Sequence, residues 1–180
     1  RLYRVGMYRY KGLRLLIQFS GLTLPDKGII KLGGEGRAVS YQSRTENISI
    51  EEPEKINDGL FKLYLATPAI FEQGGWLPDS LDPTSLSGSI RGIEVELLAA
   101  SIGKHRSIGG FDMLTKQPKP MRQAVPAGSV YYFQAKNKTS PESIIEAFHG
   151  KSLQGNDSNN ITYKQQGFGI AYVAAMENTN

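Results

Sequence analysis

The chain has 180 residues, a formal net charge of +4 and no cysteine, and 39% of its residues are hydrophobic. This composition is typical of one globular domain of a soluble protein, and no apolar run is long enough to span a membrane. The absence of cysteine excludes disulfides and thiolate metal sites, and together with the lack of a signal peptide it favours a cytoplasmic location. Because the sequence begins without methionine, we expect it to be part of a longer protein.

Alternating apolar and polar residues predict several β-strands, most of them bounded by turn residues. In chain order the predicted strands cover residues 3–10, 13–20, 60–67, 90–99, 129–135 and 168–174. Two short apolar runs flank a glycine-rich turn or bulge at Gly33–Arg37, and residues 47–58 form an acidic loop.

One helix is predicted in the segment SPESIIEAFHG, which has residues typical of a helix start and of a helix end. Ser140 can cap the helix, Pro141 suits its first position, and Gly150 ends it. Many strands and one helix predict an α+β domain built on a mainly antiparallel sheet.

Positive charge gathers in one segment, which has five cations against the single acid Asp112. The cations are Lys104, Arg106, Lys116, Lys119 and Arg122. Such clustering favours contact with a polyanion such as RNA, although solvated strand edges carry similar charges. The aromatic residues that follow, Tyr131–Phe133, either stack on bases or fill the core.

No metal or cofactor site is predicted. The only two histidines, His105 and His149, are distant in the sequence, and no carboxylate cluster accompanies either of them. The glycine-rich stretches match neither GxGxxG nor a P-loop, and tight turns explain each of them individually. His105 lies between two cations, which favours a neutral imidazole that could act as a base, but such a histidine is more often a phosphate contact.

The order of several short motifs resembles the RAMP-superfamily proteins of CRISPR systems. The motifs are GGEGR from Gly33, YLATPAIF from Tyr64, GGW from Gly74, IGGFD from Ile108, KPMRQAVPAGSVYYF ending at Phe133, and the terminal GFG from Gly167. More narrowly, the chain resembles the family of third subunits of type III-B (Cmr) effector complexes, with Phe111 where tryptophan is usual. The resemblance covers essentially the whole chain, as the C-terminal half of a family member.

This resemblance implies a ferredoxin-like or RRM-like RAMP domain with long Gly/Pro-rich insertions, forming a single C-terminal domain over residues 1–180. It implies a subunit without catalytic activity that holds the 5′ tag of the crRNA and packs against the large polymerase/cyclase-like subunit and the backbone RAMP subunits. The residues that we expect to contact RNA are Arg37, Lys104, His105, Arg106, Lys116, Lys119, Arg122, Gly167 and Gly169.

Two alternatives stay open at this point. The first is a metal-independent repeat-RNA endonuclease that uses His105 as its base. The second makes the basic segment a docking site for an acidic protein partner, with RNA held elsewhere.

Overall fold

The computed structural model describes residues 14–18, 21–32, 36–45, 49–72, 75–112, 114–154 and 163–176. The chain divides into two compact units, Arg1–Ile48 and Ser49–Asn180. The single domain expected from the sequence stays a prediction.

The first unit contains a two-stranded antiparallel hairpin. Strand β1 covers Lys27–Lys31 and β2 covers Ala38–Gln42. Gly36, with φ of 69°, lies in the turn between them, as the glycine-rich stretch predicts. The predicted strand over residues 3–10 lies outside the described residues.

The predicted strand over residues 13–20 is wrong in the part that the structure describes. Residues 14–18 are exposed and belong to no strand, and Leu15 and Ile17 are each more than 60% exposed. Alternation of apolar residues favours a strand only where a neighbouring strand supplies hydrogen bonds, and none of the described strands pairs with this segment.

The second unit is built on a six-stranded antiparallel sheet in the order β4-β5-β8-β3-β10-β9. Its strands are β3 Leu60–Leu65, β4 Ser87–Ile90, β5 Ile93–Ser101, β8 Val130–Ala135, β9 Lys151–Ser152 and β10 Ile170–Ala175. A separate two-stranded sheet pairs β6 Arg106–Asp112 with β7 Gln117–Ala124. The longer predicted strands are therefore confirmed, with ends that differ by at most three residues.

Helix α1, Pro141–Phe148, begins and ends as the sequence predicts. The Ser143 N–H donates to the Ser140 side-chain oxygen, and Pro141 occupies the first turn, where its missing N–H costs nothing. Gly150, with φ of 67°, follows the helix. Ile144 and Phe148 are the buried residues of the helix.

The core lies between one face of the sheet and this helix. The Phe61 ring stacks on Phe133 at 5.7 Å and on Phe148 at 5.5 Å. Tyr131 and Phe133 share the buried face of β8, whereas Tyr132 is half-buried on the other face. The first and third aromatics of the YYF run therefore fill the core. The antiparallel sheet and the single helix packed on it confirm the α+β class.

Candidate nucleic-acid interface

The basic segment that the sequence singles out is a β-hairpin and not a loop. Strands β5 and β8 are neighbours in the sheet, and Ser101 pairs with Val130 where they meet. Between these two residues the chain leaves the sheet, forms β6 and β7, and returns. Val125 fixes the return by exchanging two backbone hydrogen bonds with Ala69, at 2.8 and 2.9 Å.

Most of the predicted RNA-binding residues lie on this hairpin or directly before it. They are Lys104, His105, Arg106, Lys116, Lys119 and Arg122. All of these side chains are exposed except that of Lys119, which is half-buried. Within the described part of the chain, none of them forms an ion pair with a carboxylate. Their charge is therefore available to a ligand.

The cations on the strands share one face of the hairpin. Ile108 pairs with Arg122, and Gly110 pairs with Lys119. Between these pairs β6 has one residue and β7 has two, so β7 forms a β-bulge between Lys119 and Arg122. Alternate residues of β6 point to the same side, which places Arg106 with Lys119 and Arg122. We call Arg106, Lys119 and Arg122 the cationic face.

The other side of the hairpin carries apolar side chains towards its tip, beyond the polar pair Ser107 and Gln123. A Cβ atom on Gly109 would lie 2.4 Å from the Met121 sulfur, so the Met121 side chain covers Gly109. Because neighbouring residues of a strand point to opposite sides, Met121 lies on the side opposite Gly110 and its partner Lys119. Phe111 and its partner Pro118 lie on this same side. Phe111 is 55% exposed and Met121 is 66% exposed. We call Phe111, Pro118 and Met121 the apolar face.

The turn at the tip is held by a side chain. The Asp112 carboxylate accepts hydrogen bonds from the backbone N–H groups of Leu114, at 2.8 Å, and Thr115, at 3.3 Å. These two bonds, with a smaller contribution from the charge of Lys119, lower the pKa of Asp112. Lys116 closes the turn with φ of 55°, in the left-handed region.

A cleft of about 620 Å³ lies at the base of the hairpin. Its walls come from three distant stretches of the chain, namely residues 75–76, 100–105 and 123–125. Lys104 and His105 line it together with Trp76 and Gln123. The sequence alone gave no reason to group Trp76 with the basic segment.

Trp76 is held in the cleft wall by the core. The phenolic hydroxyl of Tyr131 donates a hydrogen bond of 2.5 Å to the Trp76 carbonyl oxygen. Burial raises the pKa of Tyr131, so this hydroxyl keeps its proton and remains a donor. The Trp76 side chain is nonetheless 44% exposed.

Comparison with known proteins decides the family. A protein-family model described as CRISPR-associated protein (Cas_Cmr3) matches residues 1–174. The chain belongs to this family. No curated protein matches the sequence.

Membership of the Cas_Cmr3 family makes the protein a subunit of the multi-subunit Cmr complex of type III-B CRISPR systems. The match includes both compact units, the hairpin and the cleft. The resemblance drawn from the sequence motifs is therefore confirmed at the level of the family.

In this Cas_Cmr3 chain, the glycines of the GFG motif already use their backbone N–H groups within the fold. The Gly167 N–H donates to the Lys164 carbonyl at 3.1 Å, and the Gly169 N–H donates to the Pro68 carbonyl at 2.8 Å. Both have positive φ, and a Cβ on Gly169 would lie 3.0 Å from the Gln154 side chain. Gly169 therefore serves close packing beside β10, while Gly167 faces open space.

Arg37 lies in the first unit of the Cas_Cmr3 chain, directly before β2. Its carbonyl oxygen accepts a hydrogen bond of 3.0 Å from the Leu32 N–H, and its side chain is half-buried. Arg37 therefore helps to close the first hairpin.

The two histidines have different surroundings. His105 lines the cleft, whereas His149 follows helix α1, where its Nε2 atom lies 3.0 Å from the Ile50 carbonyl oxygen and its ring packs edge-on against Tyr172. Among the described residues, no group of three histidine, aspartate or glutamate side chains could hold a metal ion. No helix in the described residues is long and apolar enough to cross a membrane.

Proposed function

We propose that this Cas_Cmr3 protein is an RNA-binding subunit of the Cmr ribonucleoprotein without catalytic activity of its own. It holds the 5′ tag of the crRNA and docks the large polymerase/cyclase-like subunit. The observation that carries this proposal is the β6–β7 hairpin, which separates a cationic face from an apolar face.

The cationic face supports a role in RNA binding. Arg106, Lys119 and Arg122 lie on one side of a two-stranded ribbon, without carboxylate partners among the described residues. Strand backbone holds such side chains at fixed spacings, which reduces the entropy that they lose on binding. When clustered cations bind to phosphate groups, condensed counterions are released from the RNA, which favours binding.

The apolar face supports a role in docking. Phe111 and Met121 are exposed on one side of the hairpin, and Leu114 at its tip is 94% exposed. Aromatic residues and methionine are enriched at protein interfaces. A hairpin with both faces can therefore contact RNA and a protein subunit at the same time.

The strand order supports a ferredoxin-like or RRM-like origin for the second unit. Across the sheet, its four central strands are β5, β8, β3 and β10. Numbered by their order along the chain, these four strands have the spatial order 2-3-1-4. This is the strand order of a ferredoxin-like βαββαβ domain. Helix α1 lies between the third and fourth strands, as that topology requires, whereas residues 66–92 stand in place of the first helix.

The RNA-binding role is tested by filter binding of 5′-tag RNA at several salt concentrations. Replacing Lys119 and Arg122 together by alanine removes two phosphate contacts, so we expect the slope of log K against log salt to fall by about 1.4. The matched control is Lys151→Ala, which removes an exposed cation from the edge strand β9. An unchanged slope in the double variant would contradict the assignment to the cationic face.

The docking role is tested with the assembled complex. Replacing Phe111 and Met121 by serine should abolish co-purification of the large subunit while leaving the salt slope for RNA unchanged, because the cationic face stays intact. Loss of RNA binding with docking preserved would reverse the assignment of the two faces.

One observation favours a second candidate function, cleavage of repeat RNA. His105 and Lys104 line the same cleft, which offers a base and a cation to one phosphate. Incubation of repeat RNA with a chelator present tests this candidate. Products that disappear in His105→Ala but persist in Lys151→Ala would replace the non-catalytic proposal.

A further inference from the structure

The cleft beneath the hairpin has the size and lining of a small-ligand site. Its volume of about 620 Å³ lies within the range of known binding pockets, about 300–1,000 Å³. Ala100, Ile102 and Val125 supply apolar wall, while Trp76 and Gln123 supply an aromatic ring and an amide. The polar side chains of Lys104 and His105 are exposed at the same site.

Trp76 supplies an exposed aromatic ring from a backbone position that a hydrogen bond holds. Trp76 is 44% exposed although its ring could bury a large apolar area, and its backbone carbonyl accepts a hydrogen bond from the Tyr131 hydroxyl. Because the backbone of Trp76 is already held, stacking of another planar group on the ring costs little further backbone entropy. Nucleobases stack on such rings whatever their sequence.

The polar side chains of the cleft match the rest of a nucleotide. The Gln123 side-chain amide has an NH2 group that donates and a carbonyl oxygen that accepts, so it can form hydrogen bonds with the edge of a base. Lys104 can neutralise a phosphate, and His105 can donate a hydrogen bond to one. An apolar peptide segment would leave these polar groups unpaired, so a nucleotide is the better fit.

The cleft is continuous in sequence with the cationic face. Gln123 follows Arg122 on β7 and by alternation points to the other side of the hairpin. Ala124, which pairs with Arg106 on the side of the cationic face, also lines the cleft, so RNA bound to the cationic face can reach the cleft around the base of the hairpin. We propose that the cleft receives one unstacked nucleotide of a bound single-stranded RNA, with its base on Trp76, its edge on Gln123 and its phosphate beside Lys104. This inference rests on the proposed RNA-binding function and adds a base-reading site to it.

Trp76 is the only tryptophan of the chain, so its fluorescence reports directly on the cleft. The probe is a single-stranded 5′-tag RNA, together with a series in which each nucleotide in turn is abasic. We expect the intact RNA to quench the fluorescence. An abasic nucleotide at one position of the RNA should remove the quenching and weaken binding about tenfold, and at the other positions it should do neither.

Variants separate stacking from folding. Trp76→Leu keeps apolar volume but should weaken binding about tenfold, whereas Trp76→Phe should retain most of the affinity in filter binding. Gln123→Ala should weaken the preference for the base at the position found with the abasic series, and Gln117→Ala, at the exposed start of the same strand, should not. Circular dichroism of each variant checks that the sheet is intact.

The outcomes distinguish the inference from the function on which it rests. If wild-type protein shows no salt-dependent RNA binding, the proposed function fails. If binding depends on salt and on Lys119 and Arg122, but the fluorescence does not change and no single abasic position matters, only the cleft assignment is overturned. Unchanged RNA binding in Trp76→Leu with loss of a Cmr subunit from the complex would instead make the cleft a protein-docking site.

Discussion

The Tyr131 hydroxyl donates a hydrogen bond to the Trp76 carbonyl, across 55 residues of sequence. One end of the Tyr131 side chain packs beside Phe133 in the core, and the other end fixes the backbone of the cleft wall. The core therefore determines the position of the exposed tryptophan.

Tyr131→Phe tests this connection. Removing the hydroxyl leaves the Trp76 carbonyl without its donor, and we expect the free energy of unfolding to fall by about 1 kcal/mol. Denaturant unfolding measures this change, and the tryptophan emission should shift in the folded state. Tyr132→Phe is the control, because Tyr132 lies on the opposite face of the same strand. Equal losses in the two variants would contradict the role of this bond.

Lys116→Gly separates charge from backbone conformation at the hairpin tip. Lys116 has φ of 55°, which glycine adopts more readily than other residues, so we expect stability to stay constant or rise by about 0.5 kcal/mol. Loss of the cation should lower the salt slope for RNA by about 0.7. Lys116→Ala removes the same charge but keeps the strain. A slope that falls in neither variant would remove Lys116 from the interface.

The hairpin turn should respond to acid. The pKa of Asp112 is lowered below its ordinary value of 3.8 by the N–H groups of Leu114 and Thr115, so its contribution to the turn is present above that value. It is lost as the pH falls through the lower pKa of the folded state, when the carboxylate takes up a proton. The amide resonances of Leu114 and Thr115 should shift over that range. In Asp112→Asn these resonances should not titrate, and a titration that persists would point to another acid.

Gln154 joins two segments that are far apart in sequence. Its side-chain oxygen accepts from the Ile70 N–H at 2.6 Å, and its amide nitrogen donates to the Ile70 carbonyl. Gln154→Ala leaves both backbone groups unpaired in a partly buried position, so we expect a loss of about 2 kcal/mol in the free energy of unfolding. Thermal and urea unfolding measure it. Gln166→Ala, at an exposed position, is the matched control and should change stability little.

Much of the second unit could be predicted because its signals are local. Helix α1 follows from Ser140 and Pro141, which act within one turn, and strand β8 follows from the alternation that buries Tyr131 and Phe133. The family could also be predicted, because its motifs are short and keep their order along the chain.

The hairpin was missed because its local signals oppose it. Pro118 and Pro120 lack the N–H that a strand interior uses, and glycines at 109 and 110 weaken strand propensity. Pairing with β6 leaves β7 without a second neighbour, an arrangement in which proline is tolerated. This pairing is a relationship between two segments, and neither segment indicates it alone.

The sequence by itself determined the fold class, the helix, the main strands and the cluster of positive charge, since each depends on residues close together in the chain. Only the tertiary structure decided that the cations share one face of a hairpin and that Phe111 and Met121 share the other. It alone brought Trp76 to His105 and Gln123, because hydrogen bonds and core packing from distant strands hold these segments together. Contacts of that kind leave no periodic pattern in the sequence.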